Sequence, residues 1–173
     1  RPTSAIKREA IFSILQSYAN NNSFDLYTNR CVIDLFAGSG SLGLEAISRG
    51  ASFAFFYELD NNVIKILEEN CQKICTDKEF QIIQQDCKTI NLNNLKLQPS
   101  IIFIDPPYEY LSFNNILEKI IESKILKENT IIVIESDKKN LLKFSKSLEI
   151  IKKKTYGKTQ LHFLKKLQQI PFG

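Results

Sequence analysis

Two short segments carry residue types whose order and spacing suit chemistry: Asp34-Leu35-Phe36-Ala37-Gly38-Ser39-Gly40-Ser41-Leu42-Gly43 and Asp105-Pro106-Pro107-Tyr108. The first contains a G-x-G-x-x-G pattern, Gly38, Gly40 and Gly43, placed after a strand-like run and before a helix-like one. Glycines there let the chain turn sharply and let its backbone approach a ligand. Glu58 ends the next apolar run, at a suitable distance to accept hydrogen bonds from a ribose diol. Taken singly, the glycine pattern fits a dinucleotide, an adenosyl ligand or a plain tight turn. Asp34 separates the two ligands. Its carboxylate would repel a pyrophosphate, whereas it attracts the sulfonium and ammonium groups of S-adenosylmethionine. Asp86, just past a third strand-like run, is suited to accept from an adenine amino group, although Asp also commonly fills turns and caps. With Phe36, Leu59 and Cys87 beside them, these residues make up the expected cofactor pocket.

The second segment follows a buried run, Ile101–Ile104, and strand ends in open parallel sheets are where ligands bind. Two prolines fix the backbone and remove two N–H donors, leaving carbonyls as the main backbone groups. That suits an exocyclic amine of a nucleobase, whose lone pair is delocalised into the ring. Donating both N–H groups to the Asp105 carboxylate and the Pro106 carbonyl would let the nitrogen pyramidalise. The positive charge that builds on nitrogen as it attacks a methyl group would then face a fixed carboxylate and backbone dipoles. Pro107 continues the rim, and Tyr108 can stack on the base and orient it. A base inside a duplex cannot enter such a pocket, so the target must be unpaired or flipped out.

The elements that must position these segments are legible as alternating patterns. Ser4 is a plausible N-cap for a helix carrying Ile6, Ala10, Ile11, Ile14, Leu15 and Tyr18, closed by Asn20–Ser23. Strands are expected at Cys31–Phe36, Phe53–Glu58, Phe80–Gln84, Ile101–Ile104 and Thr130–Ile134. Helices are expected at Leu42–Arg49, capped by Gly50, along Val63, Ile64, Leu67 and Ile74, and at Asn115–Ser123. Two closing strands, Leu148–Tyr156 and Gln160–Leu167, flank Gly157. The expected fold is α/β: a mainly parallel sheet with helices on both faces and an antiparallel C-terminal hairpin. The 173 residues fit a single domain with a helical extension at about 1–22.

Composition narrows the setting. The chain is 43% hydrophobic and 24% charged, as in an ordinary globular protein. Neither a signal peptide nor an apolar run of membrane-spanning length is visible, so a cytoplasmic protein without a membrane partner is expected. Cys31, Cys71, Cys75 and Cys87 form no C-x-x-C pair, and His162 is the lone histidine, so no metal site is expected. A net charge of +4 permits an anionic partner without demanding one. With no methionine at position 1, the chain is expected to start inside a longer natural sequence.

Arg1-Pro2-Thr3, Arg8, Glu9 and Phe12, the run Asp34 to Ala46, Glu58, Asp105-Pro106-Pro107-Tyr108 and the closing Tyr156-Gly157-Lys158-Thr159 together resemble the bacterial RsmD family. Members of that family are 16S ribosomal RNA guanine-N2 methyltransferases, and the resemblance spans nearly the whole chain. It implies a class I methyltransferase fold with a Rossmann-like, seven-stranded sheet, S-adenosylmethionine as donor, and a guanine of small-subunit rRNA in an assembled or assembling 30S particle as target. By the same resemblance Gly38, Gly40 and Gly43 line the cofactor loop, Glu58 takes the ribose and Asp86 the adenine. Asp105 to Tyr108 surround the target amine, and Thr3 and Arg8 lie near the cofactor and RNA entrance. Members of the family usually carry a short basic segment before the position of Arg1, which the present sequence does not include. A monomer is expected.

Arg1, Lys7 and Arg8, on the helix entering the fold, are the expected phosphate contacts, with Thr3 beside them. Lys152-Lys153-Lys154, Lys158, Lys165 and Lys166 concentrate charge near the C-terminus, where a solvated edge strand explains lysines equally well. Two other functions share parts of this pattern. A DNA adenine-N6 methyltransferase would use the same Asp-Pro-Pro-Tyr chemistry but generally needs an added recognition segment. A non-catalytic RNA-binding or ribosome-assembly protein would leave Asp105 to Tyr108 without a purpose. A nicotinamide-dependent oxidoreductase is opposed by Asp34.

Overall fold

A computed structural model describes residues 4–93, 95, 97–107 and 113–168, and of Lys88 the backbone alone. Its elements are α1 (Ala5–Asn21), β1 (Cys31–Asp34), α2 (Ser41–Ser48), β2 (Phe53–Tyr57), α3 (Asn61–Ile74), β3 (Phe80–Ile83), β4 (Pro99–Ile104), α4 (Phe113–Glu122), β5 (Ile131–Asp137), β6 (Leu148–Tyr156) and β7 (Thr159–Lys166), with a short 3-10 helix at Cys87–Thr89. The Ser4 hydroxyl caps α1 by accepting from the Lys7 N–H, and Asp60 caps α3 through the N–H groups of Asn62 and Val63.

The seven strands form one sheet in the order β3-β2-β1-β4-β5-β7-β6. β1 to β5 pair in parallel, whereas β7 runs antiparallel to both β5 and β6. β1 and β4 are buried along their whole length, which is why they read as unbroken apolar runs. Phe12 and Leu15 of α1, Leu44 of α2 and Leu67 of α3 cover one face, against Val32, Phe56, Phe103 and Val133. Ile116, Leu117 and Ile120 of α4 cover the other, against Ile33, Ile102 and Ile132. The expected strand and helix set is present, with one notable extension. β5 continues to Asp137, three residues past the apolar run, because β7 pairs with Glu135, Ser136 and Asp137 after the parallel ladder with β4 has ended.

The N-terminal ends of the central strands are stapled. Arg30 Nη2 donates to the carbonyls of Pro99 (3.1 Å) and Asn129 (2.9 Å), and the Thr130 hydroxyl donates to Pro99 O at 2.8 Å. The opposite, C-terminal ends carry the loops. The chain changes winding direction between β1 and β4, the place where an open α/β sheet leaves a crevice for ligands.

Candidate active site

At that crevice a cleft of about 380 Å³ opens, within the range of small-molecule sites. Asp34, Phe36, Gly38, Glu58, Leu59, Asp86, Cys87, Asp105, Pro106 and Pro107, all expected from sequence, line it. Asp34 ends β1 and Asp105 follows β4, so adjacent parallel strands deliver the two carboxylates to one cavity. Tyr108, Arg1 and Thr3 lie outside the described residues.

Asp34 is 1% exposed, and its Oδ1 has no hydrogen-bond partner among the described residues. Burial pushes its carboxyl up to about 7, the Asp105 charge adds to the rise, and the backbone N–H groups of Phe36 and Gly43 oppose it. A carboxylate so placed is poorly compensated until a cation arrives. Glu58 is held differently. Its Oε1 accepts from the Gly38 N–H at 3.0 Å, and its Oε2 accepts from the N–H groups of Leu59 (2.9 Å) and Asp60 (3.0 Å). These bonds lock the carboxylate beside the glycine turn, where a diol would meet it already oriented. Asp86 sits exposed at the rim, next to Cys87, whose thiol donates to Leu35 O at 2.7 Å. Burial raises the Cys87 thiol to about 12, with Asp86 and Asp34 adding to it, so it stays protonated and serves as packing.

Two glycines have a different job from the one expected. Gly40 and Gly43 are not among the cleft-lining residues. A Cβ on Gly43 would collide with the Phe56 ring, and one on Gly40, at φ +84°, would come within 2.5 Å of Leu67 Cδ1. They let α2 pack closely on β2 and α3, which aims the start of α2 at the cleft. Sequence reasoning also passed over Tyr57, Gln85, Ser39 and Ser41, which line the cleft. The signal for them was position, since each neighbours a residue already singled out. Asn70 of α3 steadies the turn by donating to Ser39 O at 2.9 Å, and nothing local in the sequence announces that contact.

The two described residues expected to meet phosphate are turned to the fold instead. Lys7 Nζ lies 2.6 Å from Glu135 Oε1, with the lysine side chain 16% and the glutamate 3% exposed. Arg8 Nε is 3.6 Å from Glu45 Oε1, and Arg49 shares that carboxylate at 3.4 Å. Both charges face carboxylates of the protein, Lys7 a buried one and Arg8 a part-exposed one.

Comparisons with known proteins identify the family and the fold. A model of the family described as conserved hypothetical protein 95 matches residues 1–165. The chain is 32% identical to the ribosomal RNA small subunit methyltransferase D of Haemophilus influenzae, over 91% of this chain and 78% of that one. It is 34% identical to the protein of the same name from Buchnera aphidicola, over 94% and 80%. A solved Haemophilus influenzae structure, described as a candidate methylase, superimposes with a TM-score of 0.77 at 29% identity, covering 93% of this chain and 99% of that one. The fold is shared by an RNA methyltransferase of Salinibacter ruber solved with S-adenosyl-L-homocysteine, at a TM-score of 0.68 and 14% identity, covering 100% and 98% of the two chains. The chain therefore belongs to the conserved hypothetical protein 95 family, the RsmD family of methyltransferases.

Proposed function

We infer that this protein is an S-adenosylmethionine-dependent methyltransferase of small-subunit ribosomal RNA, and that it methylates the exocyclic N2 amine of a guanine. The observation that carries the reading is the meeting of Asp34 and Asp105 in one cleft, at the ends of adjacent strands. The donor fits the residues present. Asp34 offers a buried, under-compensated carboxylate for a cation, Glu58 a fixed acceptor pair for a ribose, and Asp86 an acceptor at the far rim. A bound pyrophosphate would instead face Asp34, Glu58 and Asp105 together, and be repelled.

When bound, S-adenosylmethionine would supply an electrophilic methyl group carried on a sulfonium. Asp105 and the Pro106 carbonyl accept the two N–H groups of the target amine and draw its lone pair out of the ring. As the nitrogen–carbon bond forms, the charge moves to nitrogen, close to Asp105, which stabilises it and directs the departing proton toward solvent. Prolines at 106 and 107 bring no backbone N–H of their own to this rim. The relatives' names favour this reading over DNA adenine methylation or a non-catalytic assembly role. The protein acts in the cytoplasm as a monomeric single domain, on an assembled or assembling 30S particle. Mass spectrometry of rRNA from cells lacking the protein tests the assignment. One N2-methylguanine of the 16S RNA should vanish, restored by the wild-type gene. An unchanged set of 16S modifications would reject it.

A further inference from the structure

Charge is segregated along this chain. Residues 138–166 hold ten lysines against one carboxylate, Glu149, whereas the rest holds 13 basic and 18 acidic residues. The net +4 is thus the sum of a strongly basic C-terminal unit and an acidic remainder. The fold puts part of that unit beside the cleft. β6 runs in the same direction as β5, since each is antiparallel to β7. Tyr156 and Asp137 both pair with Thr159, and the Lys138 N–H donates to Lys158 O at 2.8 Å. The β6–β7 turn therefore stands at the C-terminal edge of the sheet, the edge that carries Asp34 and Asp105.

Lys138, Lys139, Lys153, Lys154 and Lys158 are exposed there, and none has a carboxylate within ion-pair distance among the described residues. Lys165, at the other end of β7, does have one, Glu149 at 4.0 Å. At about 4.8 Å between strands, β7 lies on the order of 10 Å and β6 on the order of 14 Å sideways from β4. A few nucleotides cover that span, at about 3.4 Å of axis per phosphate. Lysines on a terminal strand such as β6 do guard it against pairing with another chain. That explanation leaves out Lys138, Lys139 and Lys158, which lie in the β5–β6 connection and the turn.

We propose that this cleft-edge lysine cluster, rather than the start of α1, grips the RNA phosphates flanking the target nucleotide. The proposal rests on the rRNA-methylation reading, and its test separates the two. Binding of undermethylated small-subunit RNA is measured against salt for the wild type, for Lys153→Gln/Lys154→Gln/Lys158→Gln, and for the same three positions changed to Arg. The Gln variant should flatten the dependence of log affinity on log salt by about two to three units, since each lost phosphate contact removes about 0.7 to 0.9. Its KM for RNA should rise at least tenfold while its adenosylmethionine affinity holds, and the Arg variant should recover both. Lys165→Gln/Lys166→Gln, at the opposite edge, should change the slope by less than one unit. An active wild type whose Gln variant keeps slope and KM overturns this proposal alone, whereas a wild type that methylates no rRNA overturns the functional reading beneath it. Lysine-dependent binding to phosphatidylserine vesicles, with RNA binding unmoved, would overturn it in favour of a membrane surface.

Discussion

On the β1–β2 side of the cleft, the carboxylates are bound into the protein. Glu58 accepts from three backbone N–H groups, and the N–H groups of Phe36 and Gly43 act on Asp34. On the β4 side, Asp105 is followed by Pro106 and Pro107, which have no N–H to offer. The first side is preorganised to receive a cation and a diol. The second brings no N–H of its own at the two positions that follow its carboxylate. In the proposed reaction, neighbouring strands of one sheet would divide the work, one side holding the donor and the other activating the acceptor, and substitutions can pull the two tasks apart.

The largest effect is expected at Asp105. Asp105→Ala should lower methyl transfer by at least about 100-fold, the scale of losing one preorganised transition-state contact. Adenosylmethionine affinity, measured by titration calorimetry, should stay within a factor of about three, well below the factor of ten that 1.4 kcal/mol makes. Retained turnover would remove Asp105 from the reaction. Lys7→Met should harm neither task directly and instead cost about 3 kcal/mol of stability, because it takes away the cation paired with the buried Glu135. Urea unfolding would show it, and Lys7→Met/Glu135→Leu should regain most of the loss. A stable single variant with weakened RNA binding would return Lys7 to the phosphate surface.

Glu58→Ala should mirror Asp105→Ala. Charge-assisted hydrogen bonds of about 1.5 to 3 kcal/mol predict a ten- to hundredfold weaker donor affinity. At saturating donor, kcat should be largely kept. Equal losses in kcat and affinity would blur the division between the two sides.

The smallest effect near neutral pH is a pH dependence belonging to Asp34. Its carboxyl rises from 3.8 to about 7 in the folded protein, chiefly through burial. Between about pH 4 and 7 the folded chain holds a proton that the unfolded chain has released, so Asp34 makes the protein less stable as pH rises through that window. A bound cation favours the carboxylate, so donor binding releases this proton below about pH 7. Affinity should climb with pH by up to about tenfold per unit and level off above 7. Asp34→Asn should flatten the profile, and calorimetry in buffers of different ionisation enthalpy counts the proton. A flat wild-type profile would mean that Asp34 is charged throughout.

Much of this is legible in the sequence. The core strands announced themselves because β1 and β4 are buried on both faces and can contain little but apolar residues. The cleft residues sit at strand ends and next to prolines and glycines, where local composition reveals backbone shape. What escaped was non-local. Lys7 read as a phosphate contact because its partner, Glu135, stands 128 residues away. Gly43 read as a ligand contact because the Phe56 ring that forbids a side chain there belongs to another strand. The extra turn of the ladder on β5 depends on β7, which the apolar pattern of β5 does not encode.

Arg30 and Thr130, tying Pro99 and Asn129 together at the base of the sheet, separate two kinds of vulnerability. Damage at that base would loosen the whole scaffold while sparing the reacting groups, so its symptom would be scarcity of protein, with each surviving molecule still fully competent. The loops at the other rim are anchored from below by strands whose cohesion they do not supply. Natural variation can therefore reshape the rim without first having to rebuild the foundation.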